Sequence, residues 1–254
     1  MVSNKVVYVL AAMGACLMNS ACMAHPQDEH NPQPQAIHAR PAVKSAYRKA
    51  THYHGINAPD GQLVDSYDSL AHQANAGDMK AAASLFAGLA GCKTLSLSPN
   101  KDNFTQRCAG ITSENMASAG SWLELAAKSG DADAQYTYAA GDYEQIIGTD
   151  ITSDAGKARY SAYLSTARSY LENLSHQCNV DAIAQISRDA WSNGPLFGGK
   201  GSAGTAYTYA VIHSEVSNSP DDNTVQAMES KLPASENLPE LRRNAEAFVR
   251  QYCE

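Results

Sequence analysis

The sequence predicts an all-α fold: an α-α superhelix, or solenoid, of about three helical hairpins with a C-terminal capping helix. Three observations predict it. From Gly61 onward, apolar residues recur with the 3.6-residue period of a helix. One helix–turn–helix pattern returns at offsets of 53 and 48 residues. Alanine is abundant while the 254-residue chain holds only 4 Phe, a composition suited to closely packed helices rather than a sheet.

The chain starts with a different signal. Lys5 is the only charge before residue 25, and Val6–Met18 is an apolar run of 13 residues. That is too short to span a bilayer and fits the central region of a signal peptide, assigned to residues 1–24. Cleavage after Ala24 is expected, with Cys22 and Ala24 as the small-residue pair. The rival reading is lipidation at Cys22. Its upstream Asn19-Ser20-Ala21 lacks the leucine usual three residues before a lipidated cysteine. The expected location is the periplasm, or the outer membrane if Cys22 carries lipid.

Removing residues 1–24 takes away Lys5 and no acid, so the net charge moves from −7 to −8. A domain this acidic is a poor ligand for nucleic acid, which is neutralised by basic patches. It is equally poor at docking electrostatically on anionic lipid. Membrane attachment is therefore expected only through Cys22.

Residues 25–58 read as a lead-in. The stretch 25–41 is rich in Pro and Gln, with four prolines and one large aliphatic residue, Ile37. It cannot bury enough surface to order itself and reads as a tether. A weak helix is expected from about Ala42 to Tyr53.

The helical domain is assigned to residues 59–254. Leu63, Tyr67, Leu70 and Ala74 lie on one helix face. Gly77 stops that helix and Asp78 caps the next, which carries Ala81, Ala82, Leu85 and Leu89 up to about Gly91. Placing Gly77 on Gly130 puts Asp78 on Asp131, Ala74 on Ala127, Ala81 on Ala134 and Leu85 on Tyr138. A third copy begins at Cys178, with Ala182 for Ala81 and Ile186 for Leu85. The alanines let two backbones approach, and the large residues four positions later fill the space between hairpins. Ser235–Cys253 carries an apolar stripe of Leu238, Leu241, Ala245, Phe248 and Tyr252, read as the capping helix.

Four cysteines follow the signal segment: Cys92, Cys108, Cys178 and Cys253. An even number in an exported chain points to two disulfides, and four cysteines allow three connectivities. The favoured one is Cys92–Cys108 with Cys178–Cys253, one short loop and one long.

The stretch Leu123–Gly141 resembles the Sel-one-like repeat family, relatives of the tetratricopeptide repeats. Ala126, Ala127, Gly130, Ala134 and Tyr138 partly meet the family pattern. Trp191–Gly194 looks like the end of a family first helix, and Ala206–Ala210 like part of a second. The likeness covers about residues 61–217; a long loop over 92–112 and Cys178 in place of glycine depart from it. The resemblance implies a curved helical stack used for protein–protein contacts, often in exported bacterial proteins. The expected function is thus an exported scaffold with a protein partner in the cell envelope. The alternative, on remote family analogy, is a hydrolase of cell-wall or β-lactam-like substrates.

Among site candidates, Tyr136 is the expected partner contact. It stands two residues from Tyr138, so the two rings leave the helix in different directions. As Tyr138 belongs to the core, Tyr136 faces elsewhere; the family resemblance implies the concave face, and tyrosine is favoured at binding hot spots. His52 and His54 read as surface histidines before a turn at Gly55, with no third metal ligand nearby in sequence. His25 would be a free N-terminal histidine after cleavage, a copper-binding arrangement with no other support. Gly194–Gly201 approaches a phosphate-binding loop but has Gly201 where Ser or Thr is required, and it follows a helix. No catalytic motif, cofactor or metal is expected.

Overall fold

The computed structural model of the chain describes residues 49–99, 102–197, 202–217 and 222–254, the side chain of residue 222 excepted. The signal segment with Cys22, the tether with His25, residues 42–48 and the 198–201 end of the glycine-rich loop lie outside these residues.

The described residues are all-helical. The chain runs through α1 (Leu63–Asn75), α2 (Met79–Leu97), α3 (Asp102–Cys108), α4 (Ser113–Ala117), α5 (Ala119–Lys128) and α6 (Ala132–Ala140). It continues through α7 (Tyr143–Ile147), α8 (Asp154–His176), α9 (Val180–Trp191), α10 (Ser202–Val216), α11 (Asp222–Glu229) and α12 (Leu238–Tyr252). The longer helices pack in sequence order: α1 on α2, α2 on α5, α5 on α6, α6 on α8, α8 on α9, α9 on α10 and α10 on α12.

Three turns in this series are the same turn. Gly77, Gly130 and Cys178 all adopt positive φ, at 102°, 97° and 55°. At each, that residue's N–H returns to a carbonyl three residues earlier, from Ala74, Ala127 and Ser175. The next residue's N–H reaches back five, to Gln73, Ala126 and Leu174. These bonds satisfy the last carbonyls of one helix. The next residue also caps the following helix: Asp78 accepts from the N–H of Lys80 and Ala81, Asp131 from Ala134, and Asn179 from Ala182. Glycine adopts this conformation freely, whereas Cys178 does so against the steric preference of an L-residue.

The core follows the same register. Ala81, Ala134 and Ala182 are at most 4% exposed, and Leu85, Tyr138 and Ile186 fill the positions four residues on, equally buried. On α2, Gly88 meets α1 directly: a Cβ there would stand 2.8 Å from Leu63 Cδ1. The chain holds Tyr-Thr-Tyr at 136–138 and at 207–209, and each keeps one ring in the core, Tyr138 and Tyr207. The last helix, α12, packs on α10, and its most buried large side chain is Val249, outside the stripe read from sequence.

Two disulfides join Cys92 to Cys108 and Cys178 to Cys253, closing separations of 16 and 75 residues. The first corrects one boundary. The helix expected to stop near Gly91 continues to Leu97, and the expected loop over 92–112 contains the end of α2 and all of α3. Leu95 packs on the core and Cys92 ties α2 to α3, which offsets the roughly 1 kcal/mol a glycine costs within a helix. A second correction concerns the lead-in. Thr51–Tyr53 is not helical; Thr51 forms an isolated bridge with Asn179, and residues 51–59 lie against the helices.

Candidate functional site

The starts of α6 and α9 are built alike. Each follows the recurring turn, and each has an acid two residues after its cap: Asp133 after Asp131, and Asp181 after Asn179. The corresponding residue of α2 is Lys80. An acid in the first turn is favoured by the helix dipole alone. In this chain both carboxylates have a second task.

The extended segment Thr51–His54 crosses the two starts. Thr51 donates its N–H to the Cys178 carbonyl at 3.0 Å and accepts at its own carbonyl from the Val180 N–H at 2.9 Å. The Tyr53 N–H donates to Asp181 Oδ2 at 2.8 Å, and the His54 N–H to Asp133 Oδ1 at 2.9 Å. Consecutive amides of the segment are thus held by carboxylates at equivalent places in the starts of α9 and α6. The Tyr53 hydroxyl lies 3.1 Å from Thr137 Oγ1. Its ring stands over Tyr136, with centroids 4.6 Å apart and a tilt of 36°.

Tyr136, the contact residue expected from sequence, therefore does not stand open to solvent: Tyr53 covers it. Burial pushes its hydroxyl pKa up, and the Arg188 guanidinium opposes that shift. Beyond His54 the segment stays on the domain. Ile56 packs on the core, and the Pro59 carbonyl accepts from Arg107 at 3.4 Å.

The two histidines of this segment diverge. His52 Nδ1 lies 3.4 Å from Asp181 Oδ2, while His54 is held by its backbone and exposes its ring. Among the described residues, no group of three or more His, Cys, Asp or Glu could hold a metal ion. The described half of the glycine-rich loop is a packed turn that follows α9. The Asp189 carboxylate accepts from the Phe197 N–H at 2.6 Å, and the buried side chains of Leu196 and Phe197 anchor it.

Beneath α6, Tyr138, Tyr160, Tyr163 and Tyr170 cluster between α6 and α8. The Tyr163 hydroxyl donates to the Tyr138 carbonyl at 3.0 Å. Burial pushes the Tyr138 hydroxyl up to about 12 and raises Tyr163 as well. A cleft of about 150 Å³ opens beside this cluster, lined by Tyr143, Tyr160, Tyr163, Gln185 and Asp189 among others. A second, of about 330 Å³, lies between Pro59, Gly88, Gly91, Cys92 and Arg107.

Sequence reasoning named Tyr136, whose ring lies against Tyr53, and did not name Tyr53, Thr137, Asp133 or Asp181. The one signal available for them was the acid two residues after the cap at the starts of both α6 and α9. No family model, no curated protein and no solved structure matches the chain.

Proposed function

We propose that this chain is an exported helical-repeat scaffold that makes protein–protein contacts in the bacterial cell envelope. Its helices then form a superhelix of three hairpins, α1 with α2, α5 with α6 and α8 with α9, followed by α10 and capped by α12. The three matching turns support this reading, as does helix packing in sequence order. Two disulfides favour an oxidising compartment. They accord with the signal segment read over residues 1–24.

One observation carries the proposal. A stretch of extended chain lies on two successive repeats, held by its own backbone N–H groups and one ring over Tyr136. Main-chain hydrogen bonds supplemented by a side-chain pocket are how scaffolds hold extended partners. Tyr136 remains the proposed contact, reached by a partner in the place where Tyr53 now lies.

The test is photo-crosslinking from a residue next to Tyr136, such as Arg188, in intact envelopes. The expected result is a discrete adduct that weakens with Tyr136→Ala and contains a specific envelope protein. Only self-adducts, unchanged by Tyr136→Ala, would contradict the reading. Mass spectrometry of the mature N-terminus tests export: a chain starting at His25, or a lipid-modified Cys22, is expected, and an intact Met1 opposes it.

A further inference from the structure

We infer that the starts of α6 and α9 form a receptor for an extended peptide carrying a tyrosine preceded by a basic residue. In this structure Thr51–His54 of the same chain fills it, and a partner segment of the same chemistry docks by displacing them. The inference rests on the scaffold reading above and gives that partner a chemistry.

The requirements on the occupant follow from the bonds. Asp181 and Asp133 take the N–H groups of the tyrosine and of the residue after it, so proline is excluded at both places. Two residues before the tyrosine, the backbone must both donate to Cys178 and accept from Val180, which excludes proline there too. Thr137 Oγ1 meets the hydroxyl, selecting tyrosine over phenylalanine. Both anchoring side chains are carboxylates, and His52 already lies 3.4 Å from Asp181. A lysine, arginine or histidine before the tyrosine is therefore favoured, and an acid is repelled.

The cover has the character of an exchangeable ligand. Thr51, His52 and His54 are exposed, and Tyr53 is the only large side chain of the four that is partly buried. A tethered segment acts at an effective concentration on the order of millimolar, so it suppresses a competing peptide without abolishing its binding.

The experiment uses the full chain carrying Thr51→Pro and Tyr53→Ala, and a fluorescent peptide with the sequence of residues 49–57. Binding is read by anisotropy. The loosened chain should bind the peptide at least ten-fold more tightly than the unaltered chain. Adding Asp133→Asn with Tyr136→Ala should remove the gain, as should replacing the peptide's tyrosine by alanine. Replacing it by phenylalanine should weaken binding several-fold. Tyr53→Ala alone, which keeps the Thr51 bonds, should give an intermediate gain. If neither variant binds the peptide at 1 mM while both melt cooperatively with native helix content, the inference is overturned. It is equally overturned if both variants lose their helices, because the segment is then a folding element. In either case a Tyr136-dependent envelope adduct would leave the scaffold reading standing, with a different occupant.

Discussion

Two neighbouring stretches of this chain cover successive helices by opposite means. Leu63–Asn75 covers α2 as a helix, with Leu63 buried against Gly88. Thr51–His54 covers α6 and α9 as extended chain, through backbone amides on Asp133 and Asp181 and a single ring over Tyr136. The helices beneath are buried to much the same share, nine of 19 residues in α2 and four of nine in α6, so the two covers differ in the kind of contact they make. An apolar cover is held by area removed from water, which no solvent molecule replaces. A polar cover is held by bonds that water or another peptide can replace at small net cost. The comparison teaches that α1 is held by apolar burial and Thr51–His54 by polar bonds and one ring pair.

Five variants, one of them read by titration, sharpen or break that contrast. The largest effect should come from Cys178→Ser with Cys253→Ser. Opening a 75-residue loop removes about 4.5 kcal/mol by chain entropy, and it frees the turn whose carbonyl holds Thr51. Urea unfolding would measure the loss, and a change below 1 kcal/mol would show that this turn is held by packing instead. Next is Leu63→Ala, expected to cost about 3 kcal/mol as a large-to-small change in a closed site. If it costs no more than loosening Thr51–His54 does, the distinction between the two covers fails. Ala134→Leu should cost about 2 kcal/mol by forcing α6 off its neighbours.

Alkaline titration probes the tyrosines under α6. Tyr138 ionises at about 12 in the folded chain, against an ordinary value near 10. Because the folded value is the higher, the stabilisation is complete below pH 10 and is lost as pH rises from 10 through 12. Absorbance of tyrosinate against pH should show late-ionising groups, and Tyr138→Phe should remove one and flatten the stability profile. The smallest effect should be Tyr53→Ala, about 1 kcal/mol or less in global unfolding for one half-buried ring pair. A loss near that of Leu63→Ala would make the segment part of the core.

The turns were legible in the sequence because their chemistry is local. A residue tolerating positive φ, then a capping side chain, then alanine three positions later marks all three, even with Cys178 in the glycine place. The buried ladder of Leu85, Tyr138 and Ile186 follows from the helix period once those turns are aligned. The continuation of α2 past Gly91 was not legible, because glycine reads as a stop and the expected Cys92–Cys108 pairing does not by itself say whether the chain it closes is helix or loop. The candidate site was half legible. Half-buried against the core and under Tyr53 in the structure, Tyr136 stood out in the sequence because Tyr138 takes the core position two residues on. Its cover did not, because Thr51–His54 is held mainly through main-chain groups that every residue carries, and the side-chain sequence Thr-His-Tyr-His gives no extended signature.

The central claim is that the polar cover opens while the helices stay folded, and native-state hydrogen exchange tests it most directly. The amides of Tyr53 and His54 should exchange through a local opening, at rates far above those of Leu85 and Leu89 and insensitive to low urea. Exchange of all four amides at one common rate, rising together with urea, would contradict the account.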